Sequence, residues 1–293
     1  MALLPVSPLD VKVRVLAWLN LFGNLLIIAT GGAVRLTGSG LGCPTWPLCT
    51  ADSLVNTPEM GIHGVIEFGN RTLSAVLGIL AVLLVLATLR IASLRVLAVV
   101  VLVGVVLQGV VGGITVLTGL NSWIVGFHYL ASTALVAVTT AIVLRSSREP
   151  GTRVRFLPRW MAALNVVAIV LLVAVIAIGV VTTGSGPHSG DPAALRNGLA
   201  WDVLAHVHAY VGYALVAVLI VLLVGAGRLG DRRYLVSVIA VAGIVAVQIA
   251  VGILQANTGL PPLLVGIHMV LAGVAAALTV VLADATRRPA VAG

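Results

Sequence analysis

The chain has 293 residues, 60% of them hydrophobic and only 9% charged, with 17 basic against 9 acidic side chains and a net charge of +8. A mean hydropathy of +1.18 excludes a soluble globular domain of this size and makes the chain an integral membrane protein, with the lipid bilayer as its first partner. The excess charge falls in loops on one side, as membrane insertion requires, and gives no support to nucleic-acid binding.

Apolar runs long enough to carry a helix across about 30 Å of hydrocarbon occur near residues 15–34, 62–89, 96–117, 124–144, 161–182, 203–225, 235–256 and 263–283. Eight spans are therefore expected. The first run is long and closes without a small-residue cleavage site, so no cleavable signal is expected, and the short stretch before it does not read as a transit peptide. Between the first two spans lies a long loop, 35–61, that holds both cysteines of the chain, Cys43 and Cys49, within GCPTWPLC. An outer, oxidising compartment favours a disulfide there, and their spacing is too wide for a CxxC redox motif. Trp46, between two prolines of that loop, reads as an interfacial anchor.

The second span opens with His63, Glu67 and Asn70, spaced i, i+4, i+7 and so on one stripe of a helix. A carboxylate inside a membrane span is costly and usually functional. Glu67 also has Arg71 four residues on, the spacing of a structural ion pair. His128 lies in the fourth span, His188 in the loop after the fifth, His206 and His208 in the sixth, and His268 in the eighth. His206 and His208 point about 200° apart around a helix, so one ring-shaped ligand cannot use both. His206 reads as a polar residue at a helix start.

Fourteen of the 17 basic residues fall on one side of this layout; only Arg35, Arg71 and Arg196 fall on the other. By the positive-inside rule both termini are cytoplasmic and the histidines sit near the outer face, with a bacterial plasma membrane the expected home.

The chain also repeats itself. Gln108 to His128 and Gln248 to His268 share nine of 21 positions without a gap, including Thr-Gly-Leu and the closing histidine, and a Thr-Gly-Ser-Gly run follows both the first and the fifth span. These echoes read as an internal duplication. The expected fold is all-α: eight transmembrane helices in two pseudo-symmetric four-helix bundles, residues 1–150 and 151–293, each half entering from the same side. A haem in electron transfer wants two axial imidazoles, one on each face. His208 and His268, on neighbouring spans with glycines nearby, meet that need. Shifting the second span onto the sixth sets Asn70 over His208, so the first half lacks one ligand and keeps His128 alone.

Taken in order, RLTGSGLGCPTWPLC, IEFGNR on the second span, VGFH on the fourth, a histidine on the sixth and VGIH on the eighth resemble the haem A synthase family, in its bacterial form with paired loop cysteines. The resemblance spans nearly the whole chain. It implies oxidation of the C8 methyl of haem O to a formyl group by successive hydroxylations, with oxygen from water, to give haem A for aa3-type terminal oxidases. It implies haem b as cofactor on His208 and His268, His128 on the iron of the substrate haem, Glu67 as the essential carboxylate, and Cys43 with Cys49 as the loop pair. Asn70 departs from the pattern, standing where many members carry the second substrate-haem histidine. His128 is then expected as the sole strong protein ligand, with His63 serving the propionates or a proton path. Expected partners are haem O, haem O synthase and oxidase assembly factors, an electron acceptor the sequence does not identify, and a second copy of the chain in a homo-oligomer. Two other classes compete: a di-haem b, quinone-linked electron carrier, and a small-solute transporter with parallel repeats. An optical spectrum separates the three.

Overall fold

A stretch of some twenty apolar residues in lipid has one way to satisfy its own backbone, which is to become a helix. In the computed structural model, which describes residues 10–148, 151 and 153–289, the eight apolar runs form α1 (Val11–Leu36), α2 (Gly61–Thr88), α3 (Ala92–Leu117), α4 (Ser122–Ser146), α5 (Arg159–Ser185), α6 (Trp201–Leu229), α7 (Arg232–Asn257) and α8 (Pro262–Ala285). Each is long and apolar enough to cross a membrane, and the chain is a multi-pass membrane protein. The expected division after Pro150 and both chain ends lie outside the described residues.

Most helices overrun the apolar run by a few residues, and three of them, α1, α4 and α7, begin at a polar cap. The backbone N–H groups of Lys12, Trp123 and Tyr234 donate to Asp10 Oδ1, Asn121 Oδ1 and Asp231 Oδ1 at 2.8, 3.1 and 2.8 Å. Such caps answer the orphaned donors of a first turn. The two Thr-Gly-Leu turns close α3 and α7 in the same way. Gly119 and Leu120 have φ of +62° and +60°, Gly259 and Leu260 +79° and +57°. In both turns the leucine N–H returns 2.8 Å to a carbonyl of the helix, that of Thr115 or Gln255. The left-handed step suits glycine and is held in leucine only by that returning bond.

The two Thr-Gly-Ser-Gly runs differ. Thr37 follows the end of α1, and Gly38 turns out at φ +68°. Thr183 and Gly184 remain inside α5, because Asn197 from the next loop caps the longer helix, its side chain on the Val181 carbonyl and its N–H on that of Gly184.

Buried side chains gather into two clusters. One takes Val13, Ala17, Leu84, Leu94, Val101 and Val136 from α1 to α4; the other takes Leu172, Leu219, Leu222, Tyr234, Val241 and Leu282 from α5 to α8. α1 and α4 also pack on α8. There, Gly32 faces Met269, Gly273 faces Leu25 and Ile28, and Tyr129 Oη donates 2.7 Å to the Met269 carbonyl. Small residues let the helices close in, the usual device where lipid supplies no hydrophobic drive.

At the end opposite the cysteine loop, Asp284 receives Arg148 and Arg153, each at 2.7 Å, and Arg233. This carboxylate ties the ends of α4 and α8 to the start of α7. A short antiparallel pair, β1 (Arg153–Arg155) with β2 (Arg287–Pro289), lies beside it.

Candidate functional site

The cysteine loop is fixed to α2 by one carboxylate. Cys43 and Cys49 form a disulfide, and both are wholly buried. Glu67, 5% exposed, accepts from Arg71 Nη2 at 2.6 Å and Nε at 3.2 Å through Oε1, and from the Cys43 N–H at 2.6 Å through Oε2. Arg71 reaches on to the Cys43 and Leu48 carbonyls at 2.9 and 3.2 Å. The ion pair anticipated by the i, i+4 spacing therefore forms, and both partners also hold the disulfide loop. Trp46 does more than anchor at an interface: its ring packs onto Gly113 of α3, where no side chain would fit. His63 Nδ1 lies 2.8 Å from Ser39 Oγ, which in turn lies 2.7 Å from Thr37 Oγ1.

Beneath this loop a cavity of about 120 Å³ is bordered by Asn70 and Ser74 of α2, Gln108 of α3, and His128 and Tyr129 of α4. Thr30 Oγ1 donates to Asn70 Oδ1 at 2.7 Å, so the amide oxygen is already engaged by α1. Gln108 Nε2 donates to the His128 carbonyl at 2.7 Å, and Gly112 leaves room beside the His128 ring, with Cε1 3.5 Å from where a Cβ would stand. His128 Nδ1 is buried and has no hydrogen-bond partner among the described residues. A buried, unpartnered ring nitrogen calls for a ligand or a functional reason.

A larger cavity of about 580 Å³ holds His208 and His268. Their ring centres are 6.2 Å apart and their planes 69° from parallel. Two imidazoles sharing one metal ion, with bonds of about 2 Å and about 1 Å more from nitrogen to ring centre on each side, stand about 6 Å apart. The residues present thus fit a bis-histidine metal, and the volume suits a flat macrocycle. His208 Nδ1–H donates to the Val175 carbonyl at 2.9 Å, which fixes the tautomer and leaves Nε2 bare, the arrangement usual for a ligating histidine. Gly179 and Gly252 face the two rings: a Cβ would stand 2.8 Å from His208 Cε1 and 3.4 Å from His268 Cε1. Gln248 Nε2 donates to the His268 carbonyl at 3.1 Å, matching Gln108 over His128.

Arg35, Val125, Tyr129 and Met269 border both cavities and form the wall between them. The structure thus brings His208 to His268, sets Asn70 and His128 around one smaller space, and puts Glu67 and His63 with the outer loop, bordering neither cavity. His206 is exposed, with Nδ1–H on the Asp202 carbonyl at 2.7 Å, and His188 Nε2–H donates to the Leu260 carbonyl at 2.8 Å. Sequence reasoning passed over Tyr129, Met269 and the wall role of Arg35. Arg35 alone carried a signal, as one of three basic residues on the outer side. The paired glutamines opened the repeat but were given no task.

Among known proteins, residues 14–283 match a family described as cytochrome oxidase assembly protein. A heme A synthase of Exiguobacterium sibiricum is 36% identical over 69 residues, 23% of this chain and 23% of that protein. A heme A synthase of Alkalihalophilus pseudofirmus is 31% identical over 74 residues, 25% of this chain and 24% of its own. A protoheme IX farnesyltransferase of Thermus thermophilus is 39% identical over 71 residues, 23% of this chain and 11% of that enzyme. The chain therefore spans about a quarter or less of the length of these curated relatives in each alignment.

Proposed function

The chain belongs to the cytochrome oxidase assembly protein family, and from that premise we propose that it is a haem A synthase, an oxidoreductase that converts the C8 methyl of haem O to the formyl of haem A. The observation that carries this reading is the asymmetry of the two cavities. One offers a pair of imidazoles at 6.2 Å; the other offers His128 with an asparagine opposite. Closed ligation suits electron transfer, whereas a site with one strong ligand leaves its occupant open to reaction.

His208 and His268 would hold haem b, which would supply one-electron transfer. Within the chain, the Val175 carbonyl holds the His208 ring in its ligating tautomer, and the Gln248 side chain holds the backbone of His268. His128, packed over Gly112, takes the iron of the substrate haem. The reaction balances as methyl plus one water giving formyl, four protons and four electrons. It passes through two hydroxylations and loss of water from the geminal diol. The four electrons go to an acceptor outside the chain.

Glu67 is the proposed essential carboxylate, one turn outward of Asn70 on α2. Held by Arg71 and the Cys43 amide, it is a fixed anion one turn beyond the lining of the smaller cavity and needs no reorganisation during reaction. The Cys43–Cys49 loop above it excludes water from the rim, and the chain of Thr37, Ser39 and His63 offers a proton exit to the outer face. Haem O comes from an enzyme that farnesylates protohaem, the activity named for the Thermus relative. The sites face the outer side of a bacterial plasma membrane, with both termini cytoplasmic.

The purified protein is expected to show a low-spin haem b spectrum with traces of haem O or haem A. A strain lacking the gene is expected to accumulate haem O. Protein that binds no haem, or a deletion strain with normal haem A, would overturn the reading.

A further inference from the structure

Arg35 is a cation in the wall of two cavities with no carboxylate to answer it. It borders both spaces. Its Nη2 donates to the Thr183 carbonyl at 3.0 Å, but its Nε is buried and has no partner among the described residues. Three other partly buried arginines have acids: Arg71 has Glu67, and Arg148 and Arg153 have Asp284. Neither Arg35 nor Arg196 has one among the described residues, although Arg196 Nη1 sits on the neighbouring carbonyl of Gly186. Two cations thus gather at the C-terminal end of α5. The carbonyls of that helix end answer part of the charge. A guanidinium has five donors in a planar fork matched to a carboxylate, and helix capping uses only one edge of it.

Depth agrees with an anionic occupant. His208 lies seven residues inside the outer end of α6, about 10 Å along the axis, while Arg35 sits one residue from the outer end of α1. A porphyrin held edge-on between the two histidines extends its carboxylate side chains over about that span.

We propose that Arg35 is the anchor for a carboxylate of the tetrapyrrole held between His208 and His268, set where the occupant of the smaller cavity feels the same charge. The proposal rests on the haem reading of that histidine pair. Arg35 is then a positioning residue, and a bare helix-capping role would leave the rate of haem release indifferent to masking of the carboxylates.

The test uses the full chain in detergent, loaded with haem b or with haem b dimethyl ester, whose carboxylates are masked. Midpoint potential and the rate of haem transfer to apomyoglobin are read for wild type, Arg35→Gln and Arg35→Lys. In Arg35→Gln, transfer is expected to speed up about tenfold, the loss of one charge-assisted bond. Its midpoint should fall, because the removed cation favoured ferrous iron; a tenfold shift in that equilibrium is about 59 mV. Arg35→Lys should keep most of the potential. Wild type loaded with the ester should release it about as fast as Arg35→Gln releases haem, while its midpoint rises because masking the carboxylates removes anions that favoured ferric iron; the release rate carries the test even if the variant folds poorly. Equal transfer rates for haem and its ester in wild type would overturn the anchor while leaving the histidine assignment standing. A wild-type protein that takes up neither would overturn the haem reading and the anchor with it.

Discussion

Replacing Glu67 with glutamine separates what this carboxylate holds together from what it does in the reaction. The glutamine oxygen can still accept the Cys43 N–H, but its amide then turns two N–H donors toward a guanidinium that previously met an anion at 2.6 and 3.2 Å. Removing one partner of a buried pair costs about 3–5 kcal/mol, most of it for the charge left behind. Arg71 is 19% exposed and keeps the Cys43 and Leu48 carbonyls, so the lower end, about 3 kcal/mol, is expected. Changing Arg71→Gln as well removes the stranded charge, and the double variant should be more stable than the sum of the two single changes predicts, with a coupling of about 2 kcal/mol. Unfolding in mixed micelles of increasing denaturing detergent, followed by circular dichroism, gives the three differences; haem A formation is scored on the same preparations. A Glu67→Gln protein within about 0.5 kcal/mol of wild type would refute the clamp. A Glu67→Gln protein that still makes haem A at the normal rate would refute the catalytic carboxylate.

His208→Ala and His268→Ala should each abolish the low-spin haem b spectrum, since one remaining imidazole leaves the iron five-coordinate; unchanged spectra in both would remove the pair as ligands. Gly179→Ala places a methyl 2.8 Å from His208 Cε1 and should tilt that ring, lowering haem b content by about tenfold for roughly 1–3 kcal/mol of overpacking; haem-to-protein ratio measures it. His128→Ala should remove bound haem O while His63→Ala leaves its spectrum intact, and loss of a bis-imidazole signal on changing His63 would reverse that assignment.

The eight helices were legible because lipid reduces the problem to length and hydropathy, and the histidines were legible because few polar groups are tolerated there. What escaped depends on distance across the bundle. Nothing in the run around Arg35 tells that it ends between two cavities, since that follows from α1 packing on both α4 and α8. The i, i+4 spacing of Glu67 and Arg71 announced a pair, yet the 2.6 Å bond from Cys43 joins residues 24 apart in sequence through a loop with no periodicity to read. Trp46 hides a contact for the same reason: its flanking prolines suggest an interfacial anchor, and its packing on Gly113 is recognisable only once α3 stands beside the loop.

The packing of Gly32 on Met269 and of Gly273 on Leu25 and Ile28 sets an order of assembly. Helices enter a membrane as they are made, and synthesis at about 5–20 residues per second puts roughly 10 to 50 seconds between α1 and α8. Throughout that interval the small-residue face of α1 has no partner and the wall between the cavities lacks Met269. The larger cavity, whose sides come from α1 and from α4 to α8, is therefore the last part of the molecule to close. In the proposed reading, the haem enters the unfinished bundle from the side, and the arrival of the last helix closes the space around it.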